Sequence, residues 1–164
     1  MGVFLQESVD VAQPLEAVRG RFEGGDGSWF APFATAAEAD GRALYLHVGP
    51  SLAGGQVARK VRVVLGAPSK RGDTIVVPIS WKASAWPGLF PMLEGDLEVA
   101  PLDPQRFRVT LTASYVPPFG EVGRRLDDVL MNRIAHSTAR AFLDRVADHL
   151  ERNSSIQDLR PGWI

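Results

Sequence analysis

The hydrophobic period of this chain switches after Pro117 and Pro118. Before that point, from Arg42 onward, apolar residues alternate with polar ones. After it, "GEVGRRLDDVLMNRIAHSTARAFLDRVADHLERN" has helical spacing over about nine turns. A block of short strands followed by one long helix leaves few architectures open. The strands must share a sheet, and the helix is the one apolar partner long enough to cover it. "QRFRVTLTASY" sets Phe107, Val109, Leu111, Ala113 and Tyr115 against Arg106, Arg108, Thr110, Thr112 and Ser114. "MLEGDLEVAPL" sets Leu93, Leu97 and Val99 against Glu94, Asp96 and Glu98. Such alternation marks antiparallel strands with one face in water. "DTIVVPISWKA" groups Ile75, Val77, Ile79 and Trp81, with Pro78 implying an edge or a bulge. "QVARKVRVVLG" groups Val57, Val61, Val63 and Leu65 with Arg59 in register, and "RALYLHVG" groups Leu44, Leu46 and Val48. "GPSLAGG", "APSKRGD" and "PLDPQ" have the turn chemistry of hairpins.

The N-terminal part adds a strand and two short helices. Val3 to Val11 alternates, with Glu7 on the apolar side. Pro14 opens "PLEAVRGRF" at a first helical position, and Gly24, Gly25 and Gly27 end it. "SWFAPFATAAEAD" is a second helical piece interrupted at Pro32, whose Trp29, Phe30 and Phe33 need cover. The expected fold is α+β: a curved antiparallel sheet of six to seven strands gripping the long C-terminal helix, with two short helices after the first strand. Residues 1–152 form the domain and 153–164 a tail. The long helix has two apolar segments of different phase, one at Val122, Leu126, Val129, Leu130 and Ile134, the other at Phe142, Leu143, Val146 and Leu150. The polar interval between them, Asn132, Arg133, His136, Ser137 and Thr138, is expected to span a cavity.

Composition narrows the chemistry. With 164 residues the chain can bury a real core in one domain. A net charge of −1 and the lack of a polybasic run argue against nucleic acid. There is no cysteine, which excludes disulfides, thiolate metal sites and Cys nucleophiles. No HxH or HExxH pattern implies a metal, and no P-loop, GxGxxG or GxSxG pattern implies a cofactor or a serine nucleophile. "MGVFLQESVDV" reads as a strand and not a signal peptide, and Gln6 stands where myristoylation wants Ser or Thr. No apolar run reaches bilayer length. The expectation is a cytoplasmic protein without stable membrane anchoring, a monomer or homodimer, with no cofactor and no metal.

Three stretches, "ESVDVAQPLEAV", "LFPMLEGDLEVAPLD" and "YVPPFGEVGRRLDDVLMNRIAHSTARAFLDRVADHL", resemble the START-like superfamily, also called Bet v 1-like or SRPBCC. The last two are similar to a bacterial polyketide cyclase/dehydrase-like subgroup, and the resemblance runs from Val3 to Glu151. It implies a helix-grip fold and a range of roles: cyclases and aromatases, lipid carriers, quinone-binding proteins, co-chaperone-like domains and hormone receptors. It also implies that the apolar loop "AWPGLFPML" rings a cavity mouth, unless its aromatics merely close the core.

The site candidates follow from register. Glu7 and Arg59 stand in apolar strand registers; they pair with each other or with a polar ligand group, or a bulge turns them to water. Arg133 would polarise a carbonyl or hold a carboxylate or enolate if it faces the cavity, and otherwise its head reaches water. Tyr115 is the fourth catalytic candidate. His47 and His149 read as solvent-facing, and His136 sits mid-helix. The expected ligand-binding set is Val61, Val63, Ile79, Trp81, Phe90 and Leu97 from the strands and loop, with Leu111, Ala113, Tyr115, Leu130, Arg133 and Ser137. Few polar groups point inward, so binding or transport of a small hydrophobic molecule (a lipid, polyketide, quinone or aromatic compound) ranks first. A cyclase/dehydratase enzyme is the alternative, and a protein-interaction module with a collapsed cavity the third reading.

Overall fold

The computed structural model describes residues 2–24, 27–37, 61–83, 92–116 and 128–157. The strand expected around "RALYLHVG", the "AWPGLFPML" loop up to Pro91, Arg59, Phe90 and residues 158–164 lie outside the described residues. Strands β1 (Val3–Val11), β2 (Val61–Leu65), β3 (Ser69–Arg71), β4 (Thr74–Ala83), β5 (Met92–Asp103) and β6 (Arg106–Val116) form one six-stranded antiparallel sheet. Its order is β1-β6-β5-β4-β2, with β3 also on β4. Helices α1 (Arg19–Glu23) and α2 (residues 31–37) follow β1, and α3 (Asp128–Gln157) closes the chain. This is the helix grip that the START-like resemblance implies.

Local chemistry sets the departures from expectation. Pro14 stays extended, with φ −62° and ψ 136°, and precedes a 3-10 turn at Leu15–Ala17, so the expected single helix is split in two at Val18. Pro78 lies in β4 opposite the break between β2 and β3. There its missing N–H costs no ladder bond, and its carbonyl accepts from Gly66 N–H at 2.8 Å. Helix α3 continues past Arg152, where the domain was expected to end, to Gln157.

The ladder register lines the inner side chains up in rows across the sheet. Val3, Tyr115, Leu93, Trp81 and Val63 make the first row. Leu5, Ala113, Gly95, Ile79 and Leu65 make the second, and Glu7, Leu111, Leu97 and Val77 the third. The second row is the shallow one, since Gly95 and Ala113 stand side by side. Gly95 is also a steric necessity: a Cβ there would run into the Thr112 carbonyl and Ala113 of β6. Only glycine allows the two backbones so close.

Helix α3 lies on this face off-centre. It packs mainly along β1 and lightly against β6, and its backbone comes no closer than incidentally to β4 and β5 among the described residues. Polar contacts tie it to β1 and to the residue that follows: Glu7 with His136 and Arg140, and the Ala12 N–H donating to Glu151 at 2.8 Å.

Candidate functional site

The buried arc of α3 comprises Ile134, Ala135, Thr138, Ala139, Phe142, Leu143, Val146, Ala147 and Leu150. It is a single face of small residues punctuated by large ones. Arg133 and Ser137 are exposed on the opposite arc, which corrects the expectation that they line an interior cavity. Of the polar interval, Thr138 alone is fully buried, with 0% exposure. Val129, expected on an apolar stripe, is exposed. Val61 and Leu130 belong to β2 and α3, and their side chains lie outside the described residues.

The expected sheet residues do share one buried face. Val63, Ile79, Trp81 and Leu97 are buried, as are Leu111, Ala113 and Tyr115. Trp81 meets Phe142 of α3 edge-on, at 5.0 Å between ring centroids and 63°. From there an aromatic chain runs on through Phe30, Trp29 and Phe22 to Phe107. Thus the inner side chains of β4 and β5 are buried in one apolar cluster with those of α3 and the short helices.

Two polar features stand out. The first is the hydroxyl of Thr138, which is buried and has no hydrogen-bond partner among the described residues. The second is a cluster at the β1 edge. Glu7 faces the helix, 19% exposed, so no bulge turns it to water. Among the described residues its partners are His136 and Arg140: the His136 Nδ1–H donates to Glu7 Oε1 at 2.7 Å, and Arg140 Nε stands 3.8 Å from Oε2. A carboxylate on Nδ1 fixes the ring and leaves Nε2 as a base, so the pair has the geometry of a proton-transfer dyad. His136 was passed over in the sequence because its partner is a strand residue 129 positions away.

These two features do not converge. At about 100° per residue, His136 and Thr138 lie roughly 160° apart around the helix axis. The dyad sits on the flank that faces β1, with His136 43% exposed, and Thr138 on the flank toward the interior. Among the described residues, Thr138 and the Glu7–His136 pair therefore do not face a common point.

His149 also departs from expectation. It is packed, not solvent-facing: its ring lies on Trp29 at 5.9 Å and 29° and against Phe33 at 5.1 Å. Its Nε2 accepts from Arg21 Nη1 at 3.4 Å. Burial, and then the charges of Arg21 and Arg152, hold this imidazole below its ordinary value. On the sheet's outer face, an open groove of about 430 Å³ lies between Val64, Pro78, Ser80, Glu94 and Asp96, away from α3. Among the described residues no three acidic or histidine side chains group as a metal site, and no helix is long and apolar enough to cross a membrane.

No family model matches the chain, and no curated protein matches it. Solved structures of similar arrangement exist. A hypothetical protein, jhp0584, from Helicobacter pylori is 12% identical, with 90% of this chain and 87% of that one covered and a TM-score of 0.49. The Zhui aromatase/cyclase from Streptomyces sp. R1128 is 14% identical, covering 94% and 96%, with a TM-score of 0.43. Norcoclaurine synthase from Thalictrum flavum, solved with dopamine and hydroxybenzaldehyde, is 8% identical, covering 91% and 88%, with a TM-score of 0.35. At these scores none of them bears on what this chain binds or does.

Proposed function

We propose that this protein binds a small, largely hydrophobic molecule between the sheet and α3. One observation carries the reading. The inner side chains of β4 and β5, Ile79, Trp81, Leu93 and Leu97, are buried in one apolar cluster with α3, whose own buried face includes Ala135, Ala139 and Ala147. The shallow Gly95–Ala113 row and the alanines at 135 and 139 on the helix limit how far side chains fill the space between sheet and helix. An apolar interior with few polar groups suits a binding site better than a reaction centre. The separation of Thr138 from the Glu7–His136 pair supports binding over cyclase chemistry in the same way. Lipid, polyketide, quinone and aromatic ligands all remain within this class.

The test is uptake of the neutral fluorophore N-phenylnaphthylamine. The wild-type protein is expected to bind it with a saturable rise in fluorescence. Ala113→Phe, which fills the shallow row, is expected to weaken binding at least tenfold while thermal unfolding stays cooperative. Because overpacking a core can cost about 1–3 kcal/mol, Ala135→Leu is run beside it as a second filling change. If both variants fold and bind the probe like wild type, the reading is wrong.

A further inference from the structure

Three buried side-chain atoms lack a hydrogen-bond partner among the described residues: Gln13 Nε2, Trp29 Nε1 and Thr138 Oγ1. Gln13 follows β1, and Trp29 belongs to the aromatic cluster on α1 and α2. Thr138 alone stands on α3, between Ile134, Ala135 and Phe142, on the flank toward the interior. A buried hydroxyl without a partner forfeits its hydration for nothing, and such groups in native proteins call for a cause. A threonine hydroxyl both donates and accepts, so it can serve a carbonyl or an alcohol equally.

The electrostatics of the interior sharpen this. Besides the ring polar groups of Tyr115 and Trp81, Gln13 and Thr138 are the buried polar or charged side chains among the described residues. Among the described residues, the carboxylate on the inner face, Glu7, is held by His136 and Arg140 at the β1 edge. Arg133, the cation expected to hold an acidic ligand, is exposed on the far arc of α3. An ionised carboxylate taken into such an interior would have no described cation beside it, and that cost is large.

We infer that Thr138 is the polar anchor of the binding site, and that the ligand is an uncharged, mostly hydrocarbon molecule with a single hydrogen-bonding oxygen, a ketone, alcohol or phenol rather than a fatty acid anion. This deepens the binding reading above and rests on it. The hydroxyl meets the ligand oxygen, and the apolar remainder lies along the inner faces of β4 and β5.

The experiment is displacement of bound N-phenylnaphthylamine by decanol, methyl octyl ketone and decanoate at neutral pH, on wild type, Thr138→Val and Thr138→Ser. In wild type, the alcohol and the ketone are expected to displace the probe at lower concentration than decanoate. In Thr138→Val, which keeps the shape and removes the hydroxyl, the affinity for decanol and for the ketone relative to the probe is expected to fall about fivefold. Thr138→Ser restores the wild-type ratio. If decanoate competes as well as decanol in wild type, or Thr138→Val leaves the ratio unchanged, the anchor is wrong while interior binding stands. If wild type takes up no probe at all, the binding reading falls and this inference with it.

Discussion

Two histidines join α3 to the rest of the molecule through opposite chemistry. His136, mid-helix, donates to the half-buried carboxylate of Glu7 on β1. His149, further along the same helix, accepts from the guanidinium of Arg21 and lies on Trp29 and Phe33. A ring that donates through Nδ1 keeps its contact when protonated. A ring that accepts at Nε2 from an arginine loses its contact when a proton arrives there. The first contact is a tether at the sheet edge, where charge is tolerated because water is near. The second is part of the core's lower wall, where rings do the packing and charge is unwelcome.

Truncating the second region is expected to cost most. Trp29→Ala removes the ring that stacks on Phe30 at 3.8 Å and on His149, and urea unfolding should report a loss of about 3 kcal/mol. A loss below about 1 kcal/mol would mean that the aromatic cluster is cover and not core.

Acid should separate the two histidines next. Because the native imidazole of His149 is held below its ordinary value, the unfolded chain binds the proton more readily, and stability rises with pH. The contribution is whole above about pH 6.5 and declines as the pH falls through that value, levelling off once the native ring is itself protonated. The carboxylates with lowered values, Asp10, Glu16, Glu23 and Asp103, act only below about pH 4.5, so the windows are distinct. Unfolding midpoints should fall between pH 7 and pH 5 in wild type, and fall less in His149→Phe. A fall undiminished in His149→Phe would refute the assignment.

The tether should matter less. Glu7 occupies an apolar register, so Glu7→Leu exchanges an ion pair for packing, and the net change in urea is expected to stay within about 1 kcal/mol. The smallest effect belongs to the far arc of α3. Ser137→Trp adds a ring to an exposed position and should leave both stability and N-phenylnaphthylamine uptake as in wild type.

The ease with which these regions can be read from sequence differs for physical reasons. Strands β5 and β6 are legible because each has one wet and one dry face, so Leu93 through Val99 and Phe107 through Tyr115 announce their side by alternation alone. The face of α3 is not, because Ala135, Ala139 and Ala147 carry much of it, and alanines make no visible apolar stripe. That left the interval from Asn132 to Thr138 looking like a polar wall, when Arg133 and Ser137 are simply its wet side. The Glu7–His136 pair is illegible in another way: each residue looks misplaced alone, and only the docking of α3 on β1 brings them together. His149 depends likewise on rings more than a hundred positions earlier.

Strand β1 is the last in the sheet order among the described residues, and Glu7 sits at its centre, facing in. The ends of sheets are where proteins risk joining to copies of themselves, because backbone groups there can receive another strand. A carboxylate in the middle of such a strand, already committed to the helix above it, makes an added strand pack its inner side chains beside a charge. The same Glu7→Leu change that leaves folding free energy almost untouched would therefore present a continuous apolar edge. The residue that contributes little to the stability of one molecule would then contribute to keeping many molecules apart in a crowded solution.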